Sequence, residues 1–228
     1  MRDLSGQFRL MPAQICQLCG RPFADSTSIG PGTSAQVTDV IVCAECQQQI
    51  YSFQFARSFG EYEGALARAI VLLKFERMEP LGKWFAAQLE RVARANDHCL
   101  KADVVVPVPL DRKRQKERGY NQVELFGRPL AKRLGILDRP ILLMRTRLRP
   151  DKHLLHYEER WESVRGAFAM KPGGQVDNLR ILLLDDVMTT GATLDACAKA
   201  LREAGASSVL GLTVARAIRP AGPDIVRF

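Results

Sequence analysis

Residues 181–193 constrain this chain more than any other stretch. They read Ile-Leu-Leu-Leu-Asp-Asp-Val-Met-Thr-Thr-Gly-Ala-Thr. Four apolar residues ending in polar ones suit a strand buried on both faces of a parallel sheet. A Thr/Gly-rich turn follows, and residues 194–204 then have helical spacing. Strand, turn and helix in that order form the unit of an α/β fold, whose ligands bind beyond the carboxyl ends of the strands. The N–H groups of a turn that opens a helix favour phosphate. Two carboxylates beside such a cradle, Asp185 and Asp186, suit sugar hydroxyls and Mg2+, so the combination points to a sugar phosphate. The same residues also fit an ordinary strand-to-helix connection, and the pattern alone leaves both open.

The chain has 228 residues, room for one α/β domain and a small appendage. No apolar run approaches the ~18 residues of a membrane span. The first eleven residues lack the apolar stretch of a signal peptide. A cytoplasmic protein with no membrane span is expected. The formal charge is +8, and it is uneven: residues 111–160 carry 14 Lys/Arg against 7 Asp/Glu, whereas residues 1–60 carry four of each sign. A basic surplus confined to one region suits a polyanionic small ligand, nucleic acid or a solvated face.

Four of the six cysteines form two CxxC pairs, Cys16 with Cys19 and Cys43 with Cys46. Four thiolates in one short module can surround a tetrahedral Zn2+ and leave no open position, which makes the expected zinc structural. The intervening segment is rich in Ser, Thr, Gly and Pro and holds no core of its own, so a metal supplies the cross-link. Disulfides fit poorly with a chain lacking a signal peptide. Cys99 and Cys197 read as buried structural residues.

Helical spacing is expected over residues 62–75 and 81–95. Lys74, between them, is either a solvated lysine or part of a basic pocket. The run 104–109 is a strand stopped by Pro107 and Pro109. The loop that follows, 110–122, carries Arg112, Lys113, Arg114, Lys116 and Arg118 on the side of the Asp185–Thr193 turn. Asn121 is placed to cap a helix running to Leu134. A short strand is expected over 140–144. Arg145, Arg147 and Arg149 alternate beyond it, which sets three guanidiniums on one side of an extended segment or along a charged sheet edge. Residues 151–164 read as a helix; His153 and His156 lie on it without a third metal ligand. A last strand spans 209–215.

Asp185-Asp186-Val187-Met188-Thr189-Thr190-Gly191-Ala192-Thr193 resembles the phosphoribosyl-pyrophosphate (PRPP) motif of type I phosphoribosyltransferases. Taken with the two CxxC pairs, Leu73-Lys74-Phe75, Pro107-Val108-Pro109-Leu110, Arg118-Gly119-Tyr120-Asn121-Gln122, Arg160 and Gly166-Ala167-Phe168, the chain is similar to the ComF/GntX family. That family joins an N-terminal double zinc ribbon to a phosphoribosyltransferase-like domain and is linked to natural competence and DNA utilisation.

The resemblance implies an α/β class with a type I phosphoribosyltransferase-like parallel sheet flanked by helices. It places a small four-cysteine zinc ribbon over residues 1–50 and the larger domain over 51–228. It implies PRPP bound with Mg2+. Asp185 and Asp186 would hold the ribose hydroxyls, and Thr189, Thr190, Gly191, Ala192 and Thr193 would wrap the 5-phosphate. Arg118 joins the two aspartates as a catalytic candidate. Pro109, Arg112 and Arg114 are candidates to bind substrate, the two arginines neutralising the leaving pyrophosphate. Single-stranded DNA, on Arg145, Arg147, Arg149 and Tyr120, and other DNA-uptake proteins are the implied further partners. Transfer from PRPP, non-catalytic DNA binding and PRPP sensing are the functions implied. The chain departs from the pattern at Lys152 and Ser163, where the family usually has amides, and Thr189 stands where purine phosphoribosyltransferases carry an acidic residue.

Overall fold

The computed structural model describes residues 8–23, 41–48, 51–97, 101–147 and 157–218. Cys99, Arg149, Lys152, His153, His156 and the side chain of Arg160 lie outside the described residues. Along the chain run α1 (Ala44–Gln48), β1 (Phe55–Glu61), α2 (Gly64–Phe75), α3 (Glu79–Ala95), β2 (Val104–Pro107), α4 (Arg112–Arg118) and α5 (Gln122–Leu134). Then come β3 (Leu137–Asp138), β4 (Leu143–Arg145), α6 (Tyr157–Glu162), β5 (Phe168–Met170), β6 (Arg180–Met188), α7 (Ala192–Glu203) and β7 (Ser208–Arg216).

Five strands form one parallel sheet in the order β1-β7-β6-β2-β3, and β4 and β5 pair antiparallel in a second, two-stranded sheet. The central strands are apolar on both faces because both faces are covered. Val105, Leu182, Leu184, Leu210 and Leu212 pack with α2, α3 and α5. Val104, Val106, Ile181, Leu183 and Val209 pack with α7, the cysteine module and the β4–β5 hairpin. The chain leaves β2 toward β3 on one side and leaves β6 toward β7 on the other. The crevice between the carboxyl ends of β6 and β2 is therefore a topological switch point, where open α/β sheets bind ligands.

Of the elements that differ from the sequence expectation, three bear on the site. The charged segment 110–122 is not a loop throughout, because it contains α4. The side chain of Asp111 accepts from Arg114 N at 3.0 Å, and Gly119, at φ 73°, ends the helix in the left-handed region. The run of cations hides ordinary start and stop signals. β6 does not end at Leu184. Its pairing with β7 continues through Val187 opposite Ala215 and Met188 opposite Arg216, so both aspartates lie inside a strand. The helix after the turn opens at Ala192, two residues earlier than its periodicity suggests. Asn121 caps α5 as expected, accepting from Val123 N at 3.0 Å. Among the described residues no helix is long and apolar enough to cross a membrane.

Candidate functional site

The sulfurs of Cys16, Cys19, Cys43 and Cys46 all lie within 4.8 Å of one another, and all four residues are buried. Cys16 and Cys46 are 3.6 Å apart, and Cys19 and Cys43 are 3.7 Å apart. A tetrahedral zinc with bonds of about 2.3 Å sets its sulfurs about 3.8 Å apart, so the donor set fits that ion. Gly20, at φ 71°, makes the turn after the first pair, and a Cβ there would lie 2.6 Å from the Ala56 carbonyl oxygen. The backbone N–H of Cys43 points at the Cys16 sulfur, 3.3 Å away. Hydrogen bonds from Cys19 and Cys43 push the Cys16 thiol down. The bond with Cys16 holds Cys19 up at about 11, and burial holds Cys46 at about 12. Four thiols this close resist ionising together until a cation joins them.

This module is tied to the end of the sheet. Arg216, the last residue of β7 and 2% exposed, donates to the Cys19 carbonyl oxygen at 2.6 Å and lies 3.5 Å from the Cys19 sulfur. Sequence reasoning missed Arg216; nothing in its neighbours singles it out.

At the other end of the chain the pleat separates the two aspartates. Successive side chains of an extended strand face opposite ways. Asp186, 7% exposed, meets α2 and α5: its Oδ1 lies 2.9 Å from Lys74 Nζ, and its Oδ2 accepts from Gln122 Nε2 at 2.6 Å. Gln122 Oε1 in turn accepts from Arg118 at 2.9 Å, and the Arg118 guanidinium lies over the Phe75 ring at 4.9 Å. Asp185 belongs to the α7 face. Its charge is felt by Arg145 and Cys197, and its Oδ1 accepts the Asp186 N–H at 2.8 Å. Of the two readings of Lys74, the solvated one does not hold: its ammonium is largely withdrawn from solvent and paired with Asp186. Gln122 was visible only as part of a motif.

The turn that follows is held from beneath. Gly191 has φ 85°, and a Cβ there would meet Met188 Cε at 2.9 Å and Tyr51 Cε1 at 3.2 Å. The Tyr51 hydroxyl donates to Thr190 O, and Thr190 Oγ1 accepts from Ala192 N, both at 3.3 Å. Asp195, one turn into α7, accepts the Ser52 N–H at 2.6 Å. Thr190, Gly191 and Ala192 are buried, whereas Thr189 and Thr193 are half-buried. Tyr51, Ser52 and Asp195 were not among the expected site residues. They link the segment leaving the cysteine module to the turn.

A helix divides the basic segment between two faces. Arg114 and Arg118 lie one turn apart on α4. Arg114 approaches Asp111 at 3.6 Å, and Arg118 reaches Gln122. Arg112, Gln115 and Lys116 share the opposite face. With Pro109 and Arg145 they line a cavity of about 530 Å³ between α4, α5 and the β4–β5 hairpin. The cations of 110–122 thus reach two places rather than one.

The described part of the Arg145–Arg149 row does not form one exposed face. Arg145, inside β4, is buried, and its Nε donates to Arg147 O at 2.9 Å. Arg147, past the strand, is exposed, and Arg149 lies outside the described residues. Tyr120 donates to Leu73 O and accepts from Arg77 N, each at 2.8 Å, so its hydroxyl joins the end of α2 to the start of α5. Cys197 is buried, as expected, and burial pushes its thiol well up.

No family model matches the chain. Among curated proteins it is 30% identical over 179 residues to competence protein F of Haemophilus influenzae, covering 77% of this chain and 78% of that protein. It is 29% identical over 199 residues to the DNA utilization protein YhgH of Salmonella typhimurium, covering 86% and 87%. It is 27% identical over 221 residues to competence protein ComFC of Bacillus subtilis, covering 92% and 81%. Among solved structures, an adenine phosphoribosyltransferase is 18% identical, with 62% of this chain and 73% of that one aligned and a TM-score of 0.41. The glutamine PRPP amidotransferase of B. subtilis is 22% identical over 58% of this chain, with a TM-score of 0.39, and the chain spans about a quarter of its length (26%).

Proposed function

The chain belongs to the ComF family of competence and DNA-utilisation proteins, and from that premise we propose that it binds PRPP with Mg2+ at the crevice between β6 and β2. The observation that carries this reading is the line Lys74–Asp186–Gln122–Arg118 beside the Thr189–Thr193 turn. It puts a carboxylate between two cations at a switch point, next to a helix start built for a phosphate. Asp185 and Asp186 take the ribose hydroxyls, one from each face of the sheet near the carboxyl end of β6. Residues 189–193 take the 5-phosphate through backbone N–H groups. Arg118, with Arg114 one turn away on the same face of α4, supplies positive charge for the diphosphate; Arg112, expected to join them, lies on the other face with Pro109.

Bound Mg2+ would supply charge neutralisation at the diphosphate and ribose hydroxyls. In a transfer reaction an acceptor lone pair forms the bond to ribose C1 as the C1–oxygen bond breaks. That electron pair leaves with pyrophosphate, and the acceptor's proton passes to solvent. This chain's residues contribute positioning and electrostatic stabilisation of that step. The four cysteines hold a structural Zn2+, with Arg216 beside one thiolate.

In the cell this site serves DNA uptake or utilisation. The exposed cations Arg112, Lys116 and Arg147 favour a contact with single-stranded DNA, alongside other DNA-uptake proteins. The reading is tested in cells carrying chromosomal Asp185→Asn/Asp186→Asn. Loss of transformation or of growth on DNA, with normal protein level, is expected. Unchanged DNA use would mean that PRPP binding plays no part in it. Purified protein should also bind single-stranded DNA with an affinity falling steeply as salt rises.

A further inference from the structure

The cavity beside α4 is lined by a buried cation whose hydrogen bonds are incomplete among the described residues. Arg145 lines it and is 8% exposed. Its Nε is committed to Arg147 O and its guanidinium lies over the Phe168 ring at 5.0 Å, which fixes the group in place. Its Nη2 is nevertheless buried and has no hydrogen-bond partner among the described residues. A buried donor on a cation is costly to leave unmatched, and a water, an ion or a ligand can supply its partner. The nearest match is an anion. Arg112, Lys116 and Lys171 line the same cavity, against one carboxylate, Glu124. Burial, with Asp138 nearby, pushes Glu124 up, against the pull of Arg128 and Lys171.

The remaining wall is apolar and includes Ile141, Leu143 and Met144. A volume of about 530 Å³ falls within the range of small-molecule sites. The diphosphate cations Arg114 and Arg118 face away from it on α4. We propose that this cavity binds a second ligand: a small molecule with an apolar or planar body and a carboxylate or phosphate that pairs with Arg145. The inference rests on the PRPP reading only where it takes this ligand to be the acceptor of the transfer.

The test uses zinc-loaded full-length protein. Benzoate, phenyl phosphate and neutral benzamide are titrated with and without PRPP and Mg2+, and inorganic pyrophosphate is titrated as a competitor. Benzoate or phenyl phosphate should bind and benzamide should not. Binding should survive Asp185→Asn/Asp186→Asn, persist with PRPP present, and fall about tenfold or more in Arg145→Met. If Arg145→Met fails to fold, Lys116→Ala/Lys171→Ala, at two exposed positions, should weaken binding in its place. Displacement of the probes by pyrophosphate and by PRPP would assign the cavity to the diphosphate end of PRPP and overturn the second-ligand proposal. No probe binding by protein that does bind PRPP would overturn it while leaving the PRPP site intact. Probe binding by protein that ignores PRPP would uphold the cavity and overturn the PRPP reading instead.

Discussion

Lys74 Nζ lies 2.9 Å from Asp186 Oδ1, bringing the end of α2 to the strand that carries the paired aspartates. Both side chains are largely withdrawn from solvent, 15% and 9% exposed. Gln122 takes the second carboxylate oxygen, so the charge is satisfied before any ligand arrives. Removing one partner should hurt more than removing both. Lys74→Met should lower stability by about 3 kcal/mol at most, the low end for breaking a buried pair, because each group keeps an edge on water. Lys74→Met/Asp186→Asn should recover much of that loss. Urea unfolding of the four proteins in a double-mutant cycle measures it. A cost under about 0.5 kcal/mol for Lys74→Met would make the pair an ordinary surface bridge.

Gly191 should not tolerate a side chain. Its φ of 85° lies in the left-handed region, and a Cβ would press on Met188 and Tyr51. Gly191→Ala should cost about 1–3 kcal/mol of stability and shift the turn. Affinity for inorganic phosphate or PRPP should fall with it, while zinc content stays constant. Equal affinity in the variant would mean that the turn is not the phosphate cradle.

The cysteine cluster should carry one metal per chain. Cys43→Ser should lose it and unfold the N-terminal module, read by metal analysis and by the denaturation midpoint. Arg216→Met should keep the fold but weaken zinc binding by about 10–100-fold, since it removes the group that steadies Cys19. Unchanged chelator competition in Arg216→Met would show that Arg216 is only a packing residue.

Acidity should act through Asp195. Burial pushes its carboxyl above the usual value of 3.8, against the pull of the Ser52 N–H and Lys199. Between that value and the raised one, the folded chain keeps a proton that the unfolded chain has lost. Its contribution to stability therefore falls as pH rises through that window. Asp195→Asn keeps an oxygen acceptor for Ser52 and removes the titration. The variant should gain stability relative to wild type as pH rises through the window, and the difference should level off above it. Parallel pH profiles would show that Asp195 does not titrate there.

Much of this was legible from residue order. The apolar run before Asp185 announced a doubly buried strand, the two CxxC pairs announced a cluster, and Asn121 announced a helix start. Periodicity cannot show where pairing ends. β6 runs on to Met188 because β7 accompanies it, so two neighbouring aspartates face opposite sides of the sheet. Charge counting cannot assign faces either. The cations of α4 read as one basic patch, yet a helix sends Arg114 and Arg118 one way and Arg112 and Lys116 the other. Lys74, Gln122, Tyr51 and Arg216 reach the two sites from distant segments, and only tertiary packing reveals such contacts.

The most direct test of the central claim is calorimetric titration of PRPP, with and without Mg2+, into zinc-loaded wild type and Asp185→Asn/Asp186→Asn. Wild type should bind in a Mg2+-dependent manner, and the double variant should show no binding while keeping its zinc and its fold. Absence of binding by well-folded wild type, or equal binding by the double variant, would contradict the account.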